Sequence, residues 1–419
     1  KEHPFDEGEG WAMEPWFQEE MKLSDELVEQ AAKESDAAVV ILGRTAGEDK
    51  DNKAEEGSYL LTALELDMLR KVCGAFSRTV VILNVGNIID MKWMDEVEPS
   101  AVLYVWQGGQ EGGSGVLDVL KGTVSPSGRL TDTIAYDIKD YPSTANHGDK
   151  RRNYYVEDIY VGYRYFETFA KDRVMFPFGF GLSYTKFERE ALKMEETADA
   201  LIFHVAVKNT GETAGKDAVL LFASAPQGKL GKPARVLCGF GKTKTLLLGE
   251  SETLRIVCTK YQLASYDDSG ATGNKSCYVL EEGVYRFYLG GDVRKAREIE
   301  TYEIREQKVV ERLQEVMAPV EDFRRMKPET AAEGVYSIGY EAVPKRSVSP
   351  MERRENDMPN EISYTGDQGY KLLDVAEGKV TMREFIGQFA DEDLAAIVRG
   401  EGMCSYKVTP GTAGAFGGV

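Results

Sequence analysis

Three apolar runs limit what this chain can fold into more than any other feature. They are "AAVVIL" (37–42), "TVVILNV" (79–85) and "AVLYVW" (101–106). None alternates polar with apolar residues. Helical patterns separate them, over Leu60 to Phe76, Ile88 to Val97 and then Gly112 to Leu120. Strands of this kind are buried on both faces, so the spacing predicts a mostly parallel sheet covered by helices on each side, over 1–187.

The pattern changes after that. "ALIFHVAVKNTG", "KDAVLLFASAP", "ETLRIVC" and "VYRFYLGG" are short runs between Gly, Asn and Pro turns. They predict an antiparallel β-sandwich over 188–300. The fold class is therefore α/β followed by all-β. Residues 301–359 are charged and weakly patterned, as in "REQKVVERLQEV" and "PKRSVSPMERREND". They read as a long connector, with room for a helix or two and no compact domain. Residues 360–419 then give two amphipathic segments in "LLDVAEGKVTMREFIGQFADEDLAAIVRGEG", with Thr381 and Asp391 as helix caps.

Bulk properties remove several classes of function. A net charge of −19 disfavours nucleic acid and anionic membranes as partners, since both need a positive footprint. No run of about 18 apolar residues is present. The five cysteines (Cys73, Cys238, Cys258, Cys277 and Cys404) are scattered without a C-x-x-C pair, which fits a reducing compartment and gives a cytoplasmic expectation. The opening "KEHPFDEGEGW" reads as the continuation of an upstream segment, and the glycine-rich close "PGTAGAFGGV" as a cut.

In a parallel sheet, ligand sites gather in the loops beyond the carboxyl ends of the strands. Here those loops are "GRTAGEDKDN", "NVGN" and "WQGGQEGG". Together they bring Glu48, Asp49, Asp51, Asn84, Asn87, Gln107, Gln110 and Glu111 to one rim. Amides and carboxylates on such a rim suit a hydroxyl-rich ligand. The competing reading is an idle, solvated acidic loop, with "WQGGQEGG" a tight turn in which glycine lets the backbone pass a neighbour.

Other chemistries fail on inspection. "GGSGV" and "GLSYT" miss the G-x-S-x-G nucleophile elbow, ending in Val116 and Thr185. "GFGKT" lacks the first glycine of a phosphate loop, which would fall at Val236. Of the three histidines, His204 lies in a strand pattern, His3 near an end, and His147 in a loop with no evident partner.

Five stretches occur in order: "GRTAGEDKDN", "VWQGGQEGG", "VSPSGRLTDTIAYDIKDYPS", "YYVEDIYVGYRYFETF" and "FPFGFGLSYTKFE". Together they resemble the α/β domain of glycoside hydrolase family 3, of the β-glucosidase type. The following sandwich resembles that family's fibronectin type III-like domain. "VTMREFIGQFADEDLAAIVRGEGM" and the residues after it resemble the opening of its catalytic (β/α)₈ barrel, in the rearranged subgroup where the barrel comes last.

The resemblance implies a retaining, exo-acting β-glycosidase that releases terminal non-reducing β-D-glucosyl residues by double displacement. It places the general acid/base at Glu48, with Asp49 as a shifted match and Glu55 and Glu56, beside "GSYLLT", as weaker ones. Asp51, Gln107 and Glu111 become substrate-rim residues. The nucleophile would be an aspartate on the barrel, in a motif these residues do not contain. No metal or organic cofactor is implied. The implied partners are a β-glucoside or short oligosaccharide and a barrel in a continuing or separate chain; a homodimer is compatible with the resemblance. Two alternatives stay open: β-xylosidase specificity, or a non-catalytic carbohydrate-binding or scaffold fragment without the nucleophile.

Overall fold

The computed structural model describes residues 5–9, 13–47, 50–332 and 334–399. The chain divides into two compact units, Lys1–Ser347 and Val348–Val419.

The first unit opens on helix α1 (Asp25–Glu34), then strand β1 (Ala38–Gly43), helix α2 (Ala63–Ala75), strand β2 (Thr79–Asn84), helix α3 (Trp93–Val97), strand β3 (Ala101–Tyr104) and helix α4 (Gly112–Leu120). The three strands pair in parallel in chain order, with Leu42 opposite Leu83 and Leu83 opposite Tyr104. Leu42, Leu69, Val81, Leu83 and Ile89 are almost fully buried and form the core between sheet and α2. Thr62 caps α2 in a reciprocal capping box with Glu65, satisfying two backbone donors that a helix start leaves open.

Two expectations change here. The helix expected over Ile88 to Val97 is only the five residues of α3, because 88–92 instead cross the strand ends as a loop. The sheet is also not covered on both faces among the described residues. On β1, Val40 and Leu42 are buried while Val39 and Ile41 are more than half exposed, so this edge strand alternates.

A short pair, β4 (Ile134–Ala135) with β5 (Val174–Phe176), and helix α5 (Tyr163–Phe169) lead to the sandwich. One of its sheets joins β6 (Phe187–Glu196), β7 (Ala200–Asn209) and β10 (Ser251–Thr259). The other joins β8 (Ala218–Ser224), β9 (Val236–Lys242), β13 (Gly283–Gly290) and β14 (Arg297–Ile304). Phe203, Val205, Leu221, Ile256 and Phe287 fill the space between them. The four-residue helix α6 (Lys260–Leu263) precedes a third sheet of β11 (Ser265–Asp267), β12 (Cys277–Leu280) and β15 (Lys308–Arg312).

The segment read as a connector contains strands that join the sheets before it. β14 runs on to Ile304, β15 joins the third sheet, and β16 (Arg324–Ala332) pairs with β17 (Val335–Ala342) as a hairpin. Charged groups rather than an apolar stripe anchor this hairpin. Arg325 donates to both Asp268 oxygens at 2.6 and 2.9 Å, and Lys327 reaches Glu341 at 2.7 Å.

The second unit carries α7 (Pro350–Asn356), α8 (Leu372–Ala376), α9 (Met382–Gly387) and α10 (Asp391–Arg399). Thr381 caps α9 as expected, in a capping box with Glu384. Asp391 does not cap α10. It is the first helical residue, and the carbonyl of Ala390 accepts from Leu394 at 3.0 Å.

No helix among the described residues is long and apolar enough to cross a membrane. None of their His, Cys, Asp and Glu side chains gather into a metal-binding group.

Candidate functional site

The parallel register brings the three loops to one edge of the sheet, because Gly43 lies opposite Asn84 and Leu83 opposite Tyr104. The first loop is anchored at its base by Arg44. Its buried guanidinium meets Glu65 in a bidentate pair, at 2.5 and 2.9 Å, and donates to the Ser58 carbonyl at 3.1 Å. A fork of this kind fixes geometry as well as charge. Glu65 also takes the Thr62 N–H at 2.8 Å, so one carboxylate ties the start of the loop to the start of α2.

Residues flanking 48–49 are held from both sides. Thr45 N–H donates to the Trp16 carbonyl at 2.7 Å, and Lys50 Nζ to the Glu14 carbonyl at 2.6 Å. The Lys53 ammonium sits 4.1 Å from the centre of the Trp16 ring, a cation–π contact. Two amides stitch the first loop to the second. Asn52 Nδ2 donates to the Ile88 carbonyl at 2.6 Å, and Asn87 Nδ2 to the Lys50 carbonyl at 3.0 Å. Tyr104 Oη then donates to the Asn87 carbonyl at 2.8 Å, adding the end of β3. Burial holds the Tyr104 phenol well above its usual value, so it stays a donor across the ordinary pH range. Gly86 completes the fit, since a Cβ there would lie 2.1 Å from the Ala46 methyl.

Trp16, Arg44, Thr45, Lys50, Asn52 and Asn87 thus line a small crevice on the rim. Beside it, Trp106 adopts a φ of +56°, in the left-handed region, and packs on Tyr104 with ring centroids 4.5 Å apart.

Glu48 and Asp49 lie outside the described residues. Asp51 is exposed and 3.7 Å from His147, which gives that histidine the partner the sequence did not reveal. Glu55 is exposed, and its backbone carbonyl accepts from Ser58 and Leu60. Glu56 takes the Ala63 N–H at 3.2 Å. Both therefore help shape the turn before α2. Asn84, Gln107 and Gln110 are exposed on the rim, and Glu111 accepts from Ser114 at 3.2 Å at the start of α4. His204 packs within β7, 3.4 Å from Glu195. Sequence reasoning missed Arg44, Lys50, Asn52, Trp16 and Tyr104. Only Arg44, a cation directly after an apolar run, left a signal there.

Comparison with known proteins adds to this geometry. Residues 17–184 match the glycosyl hydrolase family 3 C-terminal domain, and 217–293 a fibronectin type III-like domain. A β-glucosidase of Ruminococcus albus is 56% identical over 418 residues, all of this chain and 44% of that protein. β-Glucosidase A of Butyrivibrio fibrisolvens is 36% identical, over 92% of this chain and 54% of its own. The crystal structure of a β-glucosidase from Paenibacillus barengoltzii superposes with a TM-score of 0.91 at 51% identity, over 98% of this chain and 46% of that one. The chain spans about half the length of the relatives it matches. The chain thus carries a glycosyl hydrolase family 3 C-terminal domain followed by a fibronectin type III-like domain.

Proposed function

We propose that this chain supplies the acid/base side of a retaining β-glucosidase. The observation that carries this reading is the match over the whole chain to a β-glucosidase at 56% identity. The two-sided clamp on the loop 44–53 supports it, since a proton donor must be held within hydrogen-bond reach of the leaving oxygen.

In this reading Glu48 protonates the glycosidic oxygen as the bond to the anomeric carbon breaks. It then takes a proton from the water that releases the sugar. An aspartate on a (β/α)₈ barrel is the nucleophile, about 5–5.5 Å from the acid as retention requires. Residues 360–419 form the opening of that barrel, after an α/β domain over 1–187, a sandwich over 188–300 and the segment 301–359. Asp51, Gln107 and Glu111 face the sugar hydroxyls, and Asp49 is the alternative acid. The turn contacts of Glu55 and Glu56 speak against either in that role. The substrate is a β-glucoside or short oligosaccharide, with β-xyloside specificity as the variant reading. A cytoplasmic setting and a homodimer complete the proposal.

Glu48→Gln in the intact source protein tests it. The turnover of cellobiose, a poor leaving group, falls by roughly 10²–10⁴, while Asp49→Asn leaves it within a few-fold. The reverse order moves the acid to Asp49, and unchanged turnover in both removes the role from this loop.

A further inference from the structure

A second concavity lies in the first unit, where the start of α5, the third sheet and the β16–β17 hairpin meet. It is a groove of about 380 Å³ and shares no lining residue with the crevice on the rim. That volume lies in the range of small-molecule sites, which favour junctions between substructures.

The charges in it are matched. Arg325 donates to Asp268 at 2.6 and 2.9 Å, pairs with Glu341 at 2.9 Å and lies 3.5 Å from Asp158. Lys327 shares Glu341 at 2.7 Å, and Lys232 forms a buried pair with Glu281. Arg164 has no ion-pair partner of its own among the described residues, but with it the cations Arg164, Lys232, Arg325 and Lys327 balance the carboxylates of Asp158, Asp268, Glu281 and Glu341, so the groove has no net charge to favour an ion. Each carboxylate nevertheless keeps lone pairs that can accept from hydroxyls.

Two further features point to an occupant. The Nε of Arg164, on the groove wall, is buried and has no hydrogen-bond partner, the kind of orphan donor that folded proteins rarely leave. Tyr266 and Tyr278 line the opposite part with ring centroids 5.3 Å apart, and Tyr266 is 39% exposed. Flat aromatic rings beside hydrogen-bonding groups accept a ligand that is apolar on its faces and polar at its edges. Asp158, at the groove lip, holds a φ of +47°, the left-handed strain that collects at binding sites.

We propose that this groove binds a neutral saccharide of one or two pyranose units. Its C–H face packs on Tyr266, and its hydroxyls bridge Arg164 to the carboxylates of Asp158 and Glu341. The ligand class follows from the groove's own chemistry and does not depend on the identity of the acid/base.

The test is saturation-transfer NMR on the full chain with thiocellobiose, whose sulfur linkage resists hydrolysis. Binding is expected, and it weakens at least five-fold in Tyr266→Ala and in Arg164→Gln. Tyr266 is exposed, so its truncation leaves the fold intact, checked by circular dichroism. Glu188→Gln, exposed on β6 and part of neither concavity, leaves the signal unchanged. Absence of binding overturns the proposal. So does binding that both groove variants leave undiminished, which would place the sugar elsewhere. Equal binding of a charged analogue such as gluconate would overturn the neutral class.

Discussion

Removing the Glu65 carboxylate tests the anchor of the rim loop. Arg44 and Glu65 each keep only 5% of their side-chain surface, so Glu65→Leu leaves a guanidinium buried without its counter-ion. Loss of one partner of such a pair costs about 3–5 kcal/mol. The Gly43 and Ser58 carbonyls, at 2.8 and 3.1 Å, still accept from Arg44 and keep the cost near the lower end. The lost half of the α2 capping box adds about 1 kcal/mol. The sum is about 4 kcal/mol, which at a urea slope of roughly 1–3 kcal/mol/M moves the midpoint down by about 1–4 M. Trp11, Trp16, Trp93 and Trp106 are this chain's four tryptophans and all precede the sandwich, so their fluorescence follows the α/β region. The double variant Arg44→Met with Glu65→Leu removes both charges. It recovers at least about 1.5 kcal/mol relative to additivity, because no orphaned ion remains. Coupling below about 0.5 kcal/mol would refute the view that this pair holds the loop.

Asp217 is fully buried and accepts from Arg189 twice at 2.7 Å and from Arg129 at 3.2 Å, so Asp217→Ala orphans two cations and costs about 3–5 kcal/mol in urea unfolding. Gly86→Ala drives a methyl into Ala46 and forces the first two loops apart. Aryl β-glucoside kcat/KM in the intact protein should fall more than about ten-fold, as expected for displaced catalytic geometry. Burial alone would raise the Asp267 carboxyl, but hydrogen bonds from Thr272, Gly270 and Ser269 outweigh it and hold it below 3.8. A carboxyl lowered in the folded state contributes stability above its unfolded value, and that contribution fades as pH falls through the folded value. Wild type should therefore lose stability below about pH 4 more steeply than Asp267→Asn, measured by urea midpoints across that window. Thr381→Ala removes the capping box of α9 and costs about 1 kcal/mol of local stability, read by amide exchange in 382–387.

What the sequence made legible was what its own periodicity encodes. The parallel strands and α4 over Gly112–Leu120 stand where the apolar runs predict them, since burial of those runs decides the local structure. The clamp was not legible, because it joins residues such as Asn52 and Ile88, 36 positions apart, through a backbone carbonyl that carries no sequence signature. The β16–β17 hairpin was hidden for a related reason. Its anchor is an ion pair between Arg325 and Asp268, 57 positions apart, rather than an apolar face, so its charged strands read as a connector. Exposure of Val39 and Ile41 shows the limit of composition, which cannot distinguish an edge strand from a central one. Of the rim residues, Asn87 was named from its loop position, while its role in holding Lys50 came only from the geometry.

The most direct measurement is the product that Glu48→Gln forms from an activated aryl β-glucoside in the presence of azide. If Glu48 is the acid/base of a double displacement, the variant still forms its covalent intermediate with a good leaving group. Azide, which needs no general base, then releases it and restores turnover. NMR of the product should show β-glucosyl azide, the anomer left by two inversions. No acceleration by azide, or an α-glucosyl azide, would contradict the assignment of a retaining acid/base to this loop.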